Sequence, residues 1–307
     1  MSRAICIPFH RYHPHTTQHY RVWMNALLKG LSIWGKEFDK LYIVDDYWDF
    51  NNSELDELRR LGINFEVVRR EADGHHWVQF HTAFPRIKED LCLFLDNDVF
   101  IWEKGVVDGW FKRAEDGFFV SAFDGSGGLE EPMQNAFPLL KAMQAHRMGS
   151  YYFILDKDQR KLAFNTDLAP VHYPNGTYLE DINYTTKDGD WQDSFGAFSI
   201  RLFPRLDTVF EIKDDRSSLY LEDVYAFSAI PQTAERRGYY HVRNGGHTTY
   251  LLASKYGDAI EDYEHSIKIT PRRELLRIAM WHSLFLPDNL EQLQLASILL
   301  DVGVTTE

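Results

Sequence analysis

Hydrophobic positions along the first half of the chain switch repeatedly between two periods. Arg3 to Phe9 is a nearly unbroken apolar run and reads as a buried strand. From Thr16 to Phe38 the apolar residues Tyr20, Trp23, Leu27, Leu28, Leu31 and Trp34 fall near helical spacing, which predicts an amphipathic helix. Lys40 to Val44 is a second strand, ending in Asp45 and Asp46. Ser53 to Leu61 reads as a helix capped by Ser53 and closed by Gly62. Ile63 to Val68 is a third strand. His75 to Lys88 reads as helical, with Pro85 marking an end or a kink. Leu91 to Leu95 is a wholly apolar fourth strand, and Phe118 to Phe123 a fifth. Strands alternating with helices at this spacing predict an α/β fold with a mainly parallel sheet covered on both faces.

The second half is patterned differently. Pro132 to Arg147 reads as helical, Gly149 to Leu155 as a strand, and Asn165 to Gly196 as polar and turn-rich. Leu206 to Ile212 and Gly238 to Val242 are short strands, and residues 272–300 form two amphipathic helices about Pro287. The organisation expected is a nucleotide-binding half (1–125), an acceptor-binding half of the same domain (126–270) and a C-terminal helical appendage (271–307).

In open sheets of this kind ligands bind outside the carboxyl ends of the strands. The glycine-rich dinucleotide fingerprint is missing after the first strand, where Pro8-Phe9-His10-Arg11 stands instead. No phosphate-cradling Gly-x-x-x-x-Gly-Lys-Ser/Thr loop occurs either. What the strand ends carry is acid.

Composition narrows the field. The 307 residues are 44% hydrophobic and 26% charged, as in ordinary globular proteins, which excludes disorder and collagen-like repeats. A formal net charge of -13 gives no support to nucleic acid as a partner, though a nucleic-acid base is not excluded as an acceptor. Cys6 and Cys92 both sit in apolar runs and read as buried thiols. His10, His13, His15 and His19 fit no common zinc spacing. No apolar run is long enough to span a membrane, and no charged stretch followed by an apolar one opens the chain, so a cytoplasmic protein without a signal peptide is expected.

The strongest local signal is Leu-Phe-Leu-Asp-Asn-Asp-Val-Phe-Ile at 93–101. If the chain stays extended there, alternation sets Asp96 and Asp98 on one side. Two hard oxygen ligands at that spacing suit Mg²⁺ or Mn²⁺, which complete their shells with water and substrate phosphates.

A strand ending in Asp-Asn-Asp, after three strand-helix units with acid following the second strand, resembles the metal-dependent GT-A glycosyltransferases over roughly residues 3–250. The resemblance implies a GT-A-like mixed, mainly parallel sheet. It further implies a nucleoside-diphosphate sugar as donor, UDP favoured, with Mn²⁺ or Mg²⁺ bridging its phosphates. Asp98 is then the direct metal ligand and Asp96 faces the metal and the ribose or sugar, with Asn97 between them. Pro8, Phe9, His10 and Arg11, with Asp45 or Asp46, hold the nucleoside. A histidine of a late strand completes the metal shell, and His241 or His247 fits. An inverting enzyme also needs a carboxylate to deprotonate the acceptor hydroxyl. Asp193, beside Trp191, is the first choice and Asp181 the second, while Glu222 and Asp223 lie too near the histidine strand. The acceptor is a glycan, a protein or a modified nucleic-acid base. A sugar nucleotidyltransferase is the alternative within the fold, and a non-catalytic carbohydrate- or partner-binding module the alternative outside catalysis.

Overall fold

A computed structural model of the chain describes residues 1–10, 24, 27, 28, 30–46, 50, 52–69, 76–97, 99–101, 103–123, 148–188, 190–192, 195–202, 205, 206, 209–212 and 239–241. Among them a seven-stranded sheet forms the centre. Its strands are β1 (Arg3–His10), β2 (Lys40–Asp46), β3 (Phe65–Arg69), β4 (Leu91–Leu95), β6 (Phe119–Phe123), β7 (Met148–Asp156) and β12 (Val209–Ile212). Their order across the sheet is β12-β6-β7-β4-β1-β2-β3. β7 runs antiparallel to β4 and β6, and the remaining pairs are parallel. This is the mixed, mainly parallel sheet flanked by helices that the sequence predicts. The helical readings at 132–147 and 272–300 lie outside the described residues.

Period-two alternation divides the core into two layers. Ile5, Ile7, Phe9, Leu41, Ile43, Leu91, Leu93 and Leu95 point to one face. There they meet Met24, Leu27, Leu31 and Trp34, whose spacing is one stripe of a helix, and helices α1 (Asn52–Arg60) and α3 (Val106–Glu115). Ala4, Cys6, Tyr42, Val44, Cys92 and Phe94 point to the other face. These pack on α2 (His76–Ala83), α4 (Lys157–Phe164) and α5 (Gly196–Leu202). Both cysteines are fully buried and reduced, and burial drives their thiol pKa values upward.

Several boundaries differ from the sequence reading for physical reasons. The first helix stops at Trp34, because Gly35 and Lys36 turn, rather than running to Phe38. Ser53 lies inside α1, which starts at Asn52. Gly62 does close α1, at φ +70°: its N–H donates to the Arg59 carbonyl and that of Ile63 to Leu58. Those two bonds satisfy the last carbonyls of the helix. β1 and β2 run further than their apolar cores. Pro8, Phe9 and His10 pair with Val44, Asp45 and Asp46, so these acids belong to the strand rather than to a loop beyond it.

The 165–196 region folds into short antiparallel pairs. β8 (Val171–His172) pairs with β11 (Trp191–Gln192), and β9 (Tyr178–Leu179) with β10 (Tyr184–Thr185). Asp190 ties this region together by accepting from the Tyr184 hydroxyl at 2.8 Å and the Lys187 N–H at 2.7 Å. Burial and that carboxylate push the Tyr184 phenol up to about 12. A last pair stands apart from the main sheet: β5 (Val99–Ile101) runs antiparallel to β13 (Tyr239–His241).

Candidate active site

Strand order reverses about β1: β2 and β3 lie on one side of it and β4 on the other. A crevice at such a reversal, outside the carboxyl ends, is where open α/β sheets bind ligands. Here those ends bring together the terminal residues of β1, the two acids of β2, and Asp96 and Asn97 after β4. The pairing of β1 with β4 ends at Cys6 and Phe94, two residues before Pro8 and Asp96 respectively.

The two β2 acids face opposite ways. Asp45 lies on the face of Ile43, is 5% exposed, and has Arg69 Nε 3.8 Å from its Oδ2. Arg69 is itself largely exposed, so the pair is well screened. Asp46 lies on the face of Val44 and is fully buried, accepting at 2.6 Å from Nε2 of Gln79 on α2. A bond that short between buried groups fixes both side chains. Phe9 is a core residue, with its ring edge-on to Phe50 at 5.4 Å and no exposed surface. Pro8 is buried as well, so backbone rather than side chain is what this pair offers a ligand. His10 sits opposite Asp46 in register, and Arg11 lies outside the described residues.

Asp96 and Asn97 are half-buried at the tip of β4. The chain does not stay extended beyond them. The Val99 N–H donates to the Asp96 carbonyl at 3.2 Å, which makes Asp96–Val99 a turn and corrects the alternation argument for Asp96 and Asp98. Asp98 lies outside the described residues, as do His247 and Asp193. His241 ends β13 and pairs opposite Val99, the residue that follows Asp98. Among the described residues by themselves, no three metal-ligating side chains cluster.

Asp181 is placed elsewhere. It sits in a short 3₁₀ turn (Glu180–Ile182) beside the β9–β10 pair, exposed, 3.7 Å from the guanidinium of Arg205. Leu179, Ile182 and Tyr184 of this unit pack on Ile200 of α5. Near Asp193 the described backbone is unusual: Phe195, fully buried against Phe80 and Phe153, has φ +66°. A bulky side chain in the left-handed region costs about 1–2 kcal/mol, which the surrounding core has to offset.

Sequence reasoning missed Gln79, although a single amide within the apolar helix His-Trp-Val-Gln-Phe was its signal. It also missed what holds β5 and β13 in place. The Trp34 indole Nε1 donates to the Ile101 carbonyl at 2.8 Å across 67 residues of sequence. Tyr239 meets Trp110 edge-on at 5.0 Å, and Trp110 stacks on Tyr152 at 5.7 Å.

No family model matches the chain, and neither does any curated protein sequence. Among solved structures it is similar to glucosyl-3-phosphoglycerate synthase from Mycobacterium tuberculosis in complex with Mn²⁺, UDP and glucosyl-3-phosphoglycerate. That match has 13% identity, covers 52% of this chain and 57% of the other, and has a TM-score of 0.36. The same synthase with Mn²⁺ and UDP-glucose matches at 16% identity, with the same coverage and a TM-score of 0.35. UDP-glucose pyrophosphorylase complexed with UDP-glucose matches at 13% identity over 55% of this chain and 81% of that one, with a TM-score of 0.36. The matched region therefore spans little more than half of the synthase. No described helix is long and apolar enough to cross a membrane.

Proposed function

We propose that the carboxyl edge of the sheet binds a nucleoside-diphosphate sugar together with Mn²⁺ or Mg²⁺. In this reading the chain is a glycosyltransferase that moves the sugar to an acceptor hydroxyl with inversion. The observation that carries the reading is the meeting of two elements at the strand-order reversal. The turn after β4 bears Asp96 and leads to Asp98, and β13 brings His241 opposite the next residue, Val99. This pairing favours His241 over His247. Asp96, Asp98 and His241 would hold the cation, whose contribution is to neutralise charge on the departing nucleoside diphosphate.

The chain's own residues do the rest. The backbone of Pro8 to His10 and the acids of β2 position the nucleoside. Asp45 lies on the face of β2 that Arg69 borders at 3.8 Å, and Asp46 on the other, where it accepts from Gln79. The base for the acceptor is assigned to Asp193. Trp191 at the start of β11 supplies an aromatic surface close by in sequence, and the strained Phe195 backbone follows two residues later.

Thermal shift tests the reading directly. UDP-, GDP- and CMP-sugars, each with and without Mn²⁺, are compared on the wild type and on Asp98→Asn. A ligand that binds only the folded chain raises its melting temperature by mass action. The expected result is stabilisation by UDP-sugar that needs Mn²⁺ and is lost in the variant. No shift with any pair would sink the reading in favour of a binding module. Pyrophosphate release in turnover, in place of UDP, would replace transfer with nucleotidyl chemistry.

A further inference from the structure

Among the described residues the β5–β13 pair is a sheet of its own beside the main one; β13 ends at His241, and β5 directly follows the acid-bearing turn. Something must fix it against the body of the protein. On the β5 side the fastening is one buried bond, from Trp34 Nε1 to the carbonyl of Ile101, the last residue of β5. Trp34 is 2% exposed and closes the helical stretch 30–34. Gly30, one turn earlier, is shaped for this bond: a Cβ there would stand 2.8 Å from Trp34 Nε1 and 2.9 Å from the Ile101 oxygen. Both distances are too short for a carbon, so any side chain at position 30 displaces the donor, the acceptor or both. Two observations, a bond and a close approach only glycine permits, therefore converge on the same carbonyl.

On the β13 side, Tyr239 packs against Trp110 and Tyr152, and Ile101 and Val99 are buried in the same layer. Trp34 and Tyr239 act at the Tyr239–Ile101 rung, while the other rung, His241–Val99, adjoins Asp98 in sequence, with Val99 buried and its N–H bonded to the Asp96 carbonyl. A shift of the Ile101 carbonyl is therefore passed along β5 to Val99, two residues away, and to the bond that Val99 makes with Asp96. From this geometry we infer that Trp34 is a positioning residue for the cation site. It acts through Ile101 and β5, and Gly30 is the clearance that lets it do so. The inference rests on the metal-site reading given above. Residues that orient metal ligands without touching the metal typically change affinity about 10- to 100-fold when replaced.

The test measures Mn²⁺ binding to the full-length chain in the presence of UDP, by loss of the free Mn²⁺ electron paramagnetic resonance signal. Trp34→Phe keeps a ring but removes the donor, and Gly30→Ala leaves the donor but closes the gap. Val68→Ala, in the far strand β3, is the control for general loss of stability. The expected result is Mn²⁺ affinity weakened about 10-fold or more in both anchor variants and unchanged in the control. UDP affinity without metal should be unchanged in all three. If Trp34→Phe does not fold, Gly30→Ala carries the comparison. Mn²⁺ affinity equal to wild type in the folded anchor variants, or an equal loss in Val68→Ala, would overturn the anchor while leaving the metal site standing. A wild type that binds no Mn²⁺ with UDP would instead remove the metal-site reading, and the anchor inference with it.

Discussion

The two edges of the central sheet use charge in opposite ways. At the amino edge charges of opposite sign, and charges with backbone partners, are grouped. Arg3 donates to both oxygens of Glu115 at 2.9 and 2.8 Å and to Asp108 at 2.7 Å, and lies over the Phe111 ring. Asp90 accepts from the Ser2 N–H and hydroxyl and from Lys157. The buried Arg160 donates to the carbonyls of Leu155 and Glu89, and Glu37 caps the start of α3 by accepting from the N–H groups of Gly105 and Asp108. At the carboxyl edge Asp45 and Asp46 end β2 and Asp96 follows β4, on either side of β1; Asp46 accepts from the neutral amide of Gln79, and Arg69 stands 3.8 Å from Asp45. Neutralised clusters hold a fold together. Acid gathered at a strand-order reversal is suited to receiving a cation and what the cation brings.

Breaking one edge should therefore spare the other. The largest effect is expected from Asp96→Asn, which should lower Mn²⁺-dependent sugar transfer on the order of 100-fold. Its melting temperature should stay close to wild type, since the position is only half-buried. Kinetics and calorimetry on the same sample check both halves. Arg3→Ala should do the reverse, costing about 2 kcal/mol of stability in denaturant melts through the lost charge-assisted bonds while leaving UDP affinity of the folded protein intact.

A pH series sharpens the contrast. Arg3 holds the Glu115 carboxyl below its usual range, and Lys112 followed by Arg3 does so for Asp108. Their folded values lie below the unfolded ones. The stability they add is thus present above about pH 4 and lost as pH falls through the lowered values. Wild type and Arg3→Ala should converge in melting temperature as the pH drops below 4. Curves that stay parallel would remove the clamp as a source of stability. The smallest effect is expected from Gly62→Ala, in the connection between α1 and β3. No atom crowds the position, so only its φ of +70° is penalised, by about 1 kcal/mol.

Local chemistry decided which elements were legible in the sequence. Leu91–Leu95 is apolar throughout because both of its faces are covered, and its bounds are read correctly to the residue. Gly62 declares the end of α1 by the conformation that it alone takes easily. α3 went unread because its start is capped from a distance: Gly105 has no capping side chain and Glu37 supplies the carboxylate. The capping box of α4, Asp156 with Gln159, was present in sequence but directly follows a strand, and residues 156–164 were left unassigned. The bond from the Val99 N–H to the Asp96 carbonyl is not written in the residue types, since Asp-Asn-Asp after a strand suits an extended chain and a turn alike. His241 could be nominated from sequence. Its place opposite Val99 depends on a pairing between distant parts of the chain, which no local pattern records.

That same pairing sets an order of assembly. Six strands of the sheet's seven are complete by Asp156, and β12 follows at Val209–Ile212, whereas β13 is made later still. A chain emerging from the ribosome can bury both layers of its core before the partner of Val99 exists. Among the described residues the acid-bearing turn is therefore the part whose surroundings are finished last, and a nascent chain that ends before Tyr239 is expected to carry the sheet without the strand that pairs with β5.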